Sequence, residues 1–258
     1  MNGVPLFDAN CCLGENPALT VSYRTAVELE AALDRLGIGE ALVYHSLALH
    51  YSPALGNQVL LEALQGHPRL HPCWLVLPQH TGELPPGPTL AREMRQRGVR
   101  AARLCPKRVG PLRPYVFAAL LACLQDQAIP LLLDFELGHW GNQATEIDWD
   151  GLDWMLREYP GLPVVLLRPG QGIERALLPL LEQHDNLYVE TSYYMAAGAL
   201  ERLCARIGPE RLVFGTGMPV YAPGPAITLL TYSDLAQEAK AMVGAGSLRR
   251  LLGLAQAC

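Results

Sequence analysis

Short apolar or β-branched runs recur along the chain, each followed by turn residues and then by a longer segment whose apolar positions repeat at helical spacing. Runs of that length suit strands buried in a parallel sheet, and the segments between them suit crossover helices. Eight such units are present, with strands predicted at residues 5–7, 41–44, 73–77, 101–104, 130–133, 164–167, 187–190 and 212–214. Residues 25–36 place Val27, Leu29, Ala32, Leu33 and Leu36 largely on one face and stop at Gly37, which suits a left-handed cap. Residues 89–97 stop in the same way before Gly98, and Asp148 stands where it would cap a helix over 149–158 carrying Leu152, Met155 and Leu156. Eight consecutive βα units with no shift in composition predict an α/β fold of one domain over residues 1–258, the (β/α)8 or TIM barrel. A doubly wound dinucleotide fold is disfavoured, because no G-x-G-x-x-G follows the first strand.

Composition narrows the function classes. Half of the 258 residues are hydrophobic and 17% are charged, as expected of a chain that buries a large core. Twenty basic residues against twenty-five acidic ones give a net charge of -5, with no basic face suited to many phosphates, so nucleic acid is not an expected partner. The longest uninterrupted apolar stretch, residues 115–124, is about half of the roughly 20 residues a membrane helix needs. No membrane association is expected. Seven cysteines cannot all pair within one chain, and residues 1–5 lack the charged and apolar regions of a secretory signal, which together point to a reducing cytoplasm. Adjacent Cys11 and Cys12 are then expected as buried thiols.

In a (β/α)8 barrel the reactive residues sit where strands end and βα loops begin. The first strand leads into Asp8-Ala9-Asn10-Cys11-Cys12-Leu13-Gly14, and later strand ends carry Arg103, Asp134, Arg168, Glu190 and Gly215-Thr216-Gly217-Met218-Pro219. From Phe7 to Leu254 this layout resembles the amidohydrolase superfamily, specifically the amidohydrolase-related barrels that include metal-dependent hydrolases and nonoxidative decarboxylases. That family ends its first strand in D-x-H-x-H-x-G. This chain keeps Asp8 and Gly14, with Asn10 and Cys12 at the histidine positions. Pro130-Leu131-Leu132-Leu133-Asp134 is similar to a fifth-strand P-V-L-I-H, Arg168-Pro169-Gly170 stands for the sixth-strand H-x-G, and Phe214-Gly215-Thr216-Gly217-Met218-Pro219 stands for F-G-T-D-x-P. The closing Ser247-Leu248-Arg249-Arg250-Leu251-Leu252-Gly253-Leu254 resembles the family's N-A-R-R-L-L-G-L. Scaffold motifs are kept and chemical ones are replaced.

The replacements change what the resemblance implies. A catalytic zinc takes about three imidazole, thiolate or carboxylate ligands and an open position. Asn10 is a weak donor, Gly217 has no side chain, and Arg168 puts a permanent positive charge where the cation would lie, so no metal and no cofactor are expected. One acid and one base on adjacent strands, Asp134 and Arg168, are expected to form a salt bridge across the vacated position, which either serves chemistry or only plugs the mouth. The candidate catalytic residues are Asp134, Arg168, Glu136, His139 and Cys12, and the candidate ligand-binding residues are Asn10, Arg103, Glu190 and Trp140. Glu136 or His139 would handle protons, Trp140 would wall a loop over the pocket, and Cys12 is either a nucleophile or a small apolar filler. Two functions follow from this set. One is a hydrolase-like enzyme acting without metal on a small carboxylate, lactone or amide. The other is a catalytically inactive barrel that binds a small anionic molecule or a protein partner. A homo-oligomer is compatible with either. The amides of Gly170 to Gly172, opening a helix, would add to an anion site.

Overall fold

The computed structural model describes residues 3–16, 19–137 and 143–255. The apolar runs become eight strands: β1 Phe7–Leu13, β2 Glu40–His45, β3 Leu70–Leu75, β4 Ala101–Leu104, β5 Leu131–Leu133, β6 Val164–Leu166, β7 Leu187–Glu190 and β8 Leu212–Val213. Each pairs in parallel with the next in sequence order. Between β8 and β1 the ring is closed by Ala9 N–H donating to Phe214 O at 3.0 Å and Cys12 N–H donating to Met218 O at 2.9 Å. The molecule is a single-domain (β/α)8 barrel, as the periodicity predicts.

The helices are α1 Ala26–Leu36, α2 Ser46–His50, α3 Pro53–Ala63, α4 Gly87–Gln96, α5 Pro114–Asp126, α6 Gln143–Glu146, α7 Trp149–Glu158, α8 Glu174–Gln183, α9 Ala199–Ile207, α10 Gly224–Thr231, α11 Gln237–Ala241 and α12 Ser247–Leu251. Their ends follow local chemistry. Thr25 caps α1 by accepting from Glu28 N–H at 3.2 Å, and Gly37 ends it with φ 68°, a conformation that only glycine adopts freely. Asp148 caps α7 through Gly151 N–H at 3.1 Å. Val27 departs from the expected α1 face: it is exposed, while Ala26, Leu29, Ala32 and Leu33 pack on the sheet.

Strand side chains alternate between two layers. Leu13, Val43, Trp74, Leu104, Leu133 and Leu166 face the helices. Phe7, Leu42, Leu132, Val165 and Val213 fill the lower barrel interior, closed from below by Leu248 and Leu252. Above that apolar plug the inward positions turn polar. β1 corrects the sequence reading most: it was expected to end at residue 7 and instead runs through Asp8, Asn10 and Cys12 to Leu13, buried throughout. Polar residues can stay in a buried strand when partners satisfy them, and here Thr216 and Arg103 do so across the barrel. A register shift between Asp8 and Cys11 marks where β1 bends into the mouth.

Candidate functional site at the barrel mouth

One strand residue, Arg103, and two residues just past their strands, Asp134 and Arg168, build the centre of the mouth. Arg103 projects inward from β4, two residues after inward Ala101, and is 1% exposed. Its Nη1 donates to Asn10 Oδ1 at 2.9 Å, and its Nη2 donates to Asp134 Oδ2. Arg168, just past β6, donates from Nη2 to Asp134 Oδ1 at 2.7 Å, the pairing expected from the sequence. Asp134 therefore sits between two guanidiniums and also accepts from Glu136 N–H at 2.8 Å. Aromatic rings cover both arginines: Arg103 lies 3.9 Å from the Tyr44 ring centroid and Arg168 lies 5.2 Å from that of Tyr221.

Asp8 and Glu190 use the same device as Asp134, each accepting from the amide two residues on: Asn10 N–H at 2.9 Å and Ser192 N–H at 2.6 Å. Asp8 also takes the amide of Thr216 at 2.9 Å and its hydroxyl, which ties β1 to the turn after β8. Glu190 takes Ser192 Oγ at 2.9 Å and Arg168 N–H at 3.0 Å, which ties β7 to β6. That last contact holds Arg168 in a left-handed backbone conformation, φ 54°, unusual for a side chain of its size.

Environment separates the three acids. Burial works to raise the Asp134 carboxyl, but Arg103 and Arg168 outweigh it and hold the pKa at about 2. Burial raises Glu190 to about 7 against the hydrogen bonds from Ser192 and Arg168. Asp8 is also raised by burial, against the hydrogen bonds from Thr216 and Asn10. At neutral pH the mouth thus combines two permanent cations, one firm anion and one acid near half-ionisation.

The other sequence candidates are distributed differently. Glu136 does not join Asp134 and Arg168 through its side chain: Oε1 accepts from Arg108 Nη2 at 2.6 Å and Nε at 3.1 Å on the rim, while its left-handed backbone, φ 51°, turns only the amide inward. Cys12 is buried and its thiol is raised to about 11 by burial, with the Leu13 carbonyl at 3.7 Å and the Tyr44 hydroxyl as neighbours. Neither neighbour is a base that could activate the thiol. The Gly170 amide is already used, donating to Gln143 Oε1 at 2.8 Å, which removes it from the expected anion site. His139 and Trp140 lie outside the described residues.

Sequence reasoning missed Tyr44 and Tyr221. Tyr44 carried a signal, since it stands two positions from inward-facing Leu42 on β2. Tyr221 follows a turn with no periodicity to read. A cavity of about 160 Å³ opens beside the cluster, walled by Arg168, Ser192, Met195, Thr216, Tyr221 and Pro225. Three buried donors of the mouth, Asn10 Nδ2, Arg103 Nε and Arg168 Nε, have no hydrogen-bond partner among the described residues.

The donor set does not fit the divalent metal implied by the resemblance. Both Asp134 oxygens and Asn10 Oδ1 are held by guanidinium groups, so a cation there would meet two fixed positive charges. At Gly217, where the resemblance places a carboxylate, φ is 71° and a Cβ would lie 2.8 Å from Tyr221 Cδ2. Among the described residues no group of three or more His, Cys, Asp or Glu is placed to hold a metal ion.

A family model for amidohydrolases matches residues 25–254. The chain belongs to the amidohydrolase family. No curated protein matches the chain. Solved structures share its fold: 2,6-dihydroxybenzoate decarboxylase from Rhizobium is 16% identical with a TM-score of 0.78, over 98% of this chain and 99% of that one. A dihydroxybenzoic acid decarboxylase from Polaromonas, with bound manganese and the inhibitor 2-nitroresorcinol, is 16% identical with a TM-score of 0.77, over 100% and 98% of the two chains. A probable 2-pyrone-4,6-dicarboxylic acid hydrolase from Acinetobacter baumannii, with citric acid bound, is 15% identical with a TM-score of 0.71, over 96% and 99%. The barrel fold is therefore common to all.

Proposed function

We propose that this amidohydrolase-family barrel binds a small carboxylate at the mouth, beside Arg168, without a metal ion. The observation that carries the reading is that two buried guanidiniums share one carboxylate, Asp134. Burial holds Glu190 near half-ionisation, so Asp134 is the one firm anion against two arginines, and a small anion in the adjoining cavity would add to the match. The names of the structural relatives are consistent with this: two act on dihydroxybenzoic acids, and one holds citric acid.

A second reading, a hydrolase working without metal on a small carboxylate, lactone or amide, is favoured by one observation. Glu190 titrates near neutrality and is hydrogen-bonded to Ser192, a wall of the cavity. In that reading Arg168 steadies a developing oxyanion and Glu190 carries the proton. Calorimetric titration with benzoate and with citrate tests the binding reading. Saturable binding is expected, and Met195→Trp, which fills the cavity from a partly exposed wall, should abolish it. Binding unaffected by Met195→Trp, or none at all, overturns the assignment. Turnover of a lactone panel without added metal selects the hydrolase, and one zinc or manganese per purified chain overturns the metal-free reading.

A further inference from the structure

We infer that anion binding at the mouth is coupled to proton uptake by Glu190, so that the protein takes its ligand as anion plus proton. This deepens the reading above and rests on it. Glu190 is fully buried one residue layer behind the cavity, and two of the walls are bonded to it directly: Arg168 through its amide and Ser192 through both its amide and its hydroxyl. A third wall, Thr216, is bonded to Asp8, the acid that faces Glu190 from β1. The space Glu190 occupies exists because residue 215 is glycine: a Cβ there would lie 2.7 Å from Glu190 Oε1.

The charged groups around Glu190 are few. Asp8 faces it from β1. Arg168 meets it from β6, but through the backbone, the guanidinium being turned to Asp134. Arg103 and Asp134 lie beyond Arg168, and the β8 turn contributes the uncharged Gly215 and Thr216. No cation is hydrogen-bonded to the Glu190 carboxylate through its side chain among the described residues. An anion arriving in the cavity thus adds a like charge near a carboxylate that has no ion-pair partner, in surroundings where charges are weakly screened. The ionised form is penalised further, and Glu190, already near half-ionisation at neutral pH, takes up a proton.

The sign of the pH dependence follows. Below about pH 7 Glu190 is protonated in the free protein, and binding is insensitive to pH. Above it, binding must either recruit a proton or tolerate repulsion, so affinity falls as pH rises, by at most about tenfold per unit. Calorimetric titration with benzoate, which does not itself titrate in this range, in HEPES and in Tris separates the buffer heat from the binding heat and counts protons. About half a proton taken up per benzoate near pH 7.5 is expected. Glu190→Gln should bind benzoate with no uptake and no pH dependence. Ser192→Ala, which removes a bond to the ionised form, should move the midpoint to higher pH and remains informative if Glu190→Gln does not fold. Benzoate binding with zero uptake, or with the same uptake in Glu190→Gln, overturns the coupling while leaving the anion site standing. Absence of benzoate binding removes the site and the coupling with it.

Discussion

Asp134→Asn isolates the central charge of the mouth with almost no change in shape. In the native protein Arg103 and Arg168 hold the carboxyl at about 2 against an ordinary value of 3.8, which corresponds to about 2.5 kcal/mol favouring the folded state at neutral pH. The substitution removes that term and also leaves two buried guanidiniums facing each other across a neutral amide. Breaking a buried pair from one side costs about 3–5 kcal/mol, and the upper part of that range is expected because two cations are stranded. Urea denaturation at pH 7 should show this loss with an unchanged slope, and thermal denaturation should fall by roughly 10 °C. Adding Arg168→Met removes one stranded charge, so the double variant should be less destabilised than the sum of the singles by about 1–3 kcal/mol. The pH sign is fixed by the depressed pKa: the advantage of the native protein is present above pH 4 and shrinks as pH falls towards 2. A loss below about 1 kcal/mol, or strict additivity of the two substitutions, would refute the account of Asp134 as the charge that holds both arginines.

Other outcomes follow from the neighbours of this cluster. Glu190 has a raised pKa, so its ionisation weakens the fold as pH rises from 4.5 towards 7; Glu190→Gln should flatten that part of the stability profile, worth about 3 kcal/mol, in urea titrations across the range. Gly217→Asp, though it restores the family's carboxylate, should bring no stoichiometric zinc or manganese by elemental analysis and should cost about 1–3 kcal/mol, because φ is 71° and Tyr221 occupies the Cβ space. Glu136→Gln breaks only a half-exposed rim pair with Arg108 and should change stability by less than about 1 kcal/mol, a result that a large loss in the same denaturation assay would contradict.

The barrel was legible because strand and helix periodicities differ, and the strand placements from β2 to β8 fall close to the apolar runs. The full length of β1 is not legible because its polar residues look like a loop until their partners on β4 and in the turn after β8 are known. Asp134 with Arg168 was legible as one acid and one base on neighbouring strands. Arg103 with Asn10 was not, since β4 and β1 meet only across the barrel interior, and that contact depends on which phase of each strand points inward. The Glu136 side chain turns to Arg108 on the rim for a local reason: its left-handed backbone after the strand redirects it, which residue type alone does not announce. The aromatic partners stayed hidden because Tyr44 and Tyr221 are as ordinary in a core as at a site.

The replacements at the mouth depend on one another, which bears on how the site could change. Arg168 needs Asp134 for its charge and Glu190 for its backbone, and its outer face needs the Tyr221 ring. Tyr221 in turn needs a residue without Cβ at 217, and Glu190 needs one at 215. Asn10 supplies Arg103 with an acceptor that neutral histidine could offer only through one ring nitrogen. Restoring the histidine at 134 would therefore strand two arginines, and restoring the carboxylate at 217 would collide with the Tyr221 ring. The ligand residues that the resemblance implies are replaced here as a connected set. Among the described residues, the open donors Asn10 Nδ2, Arg103 Nε and Arg168 Nε favour the proposed anion site over an inert plug.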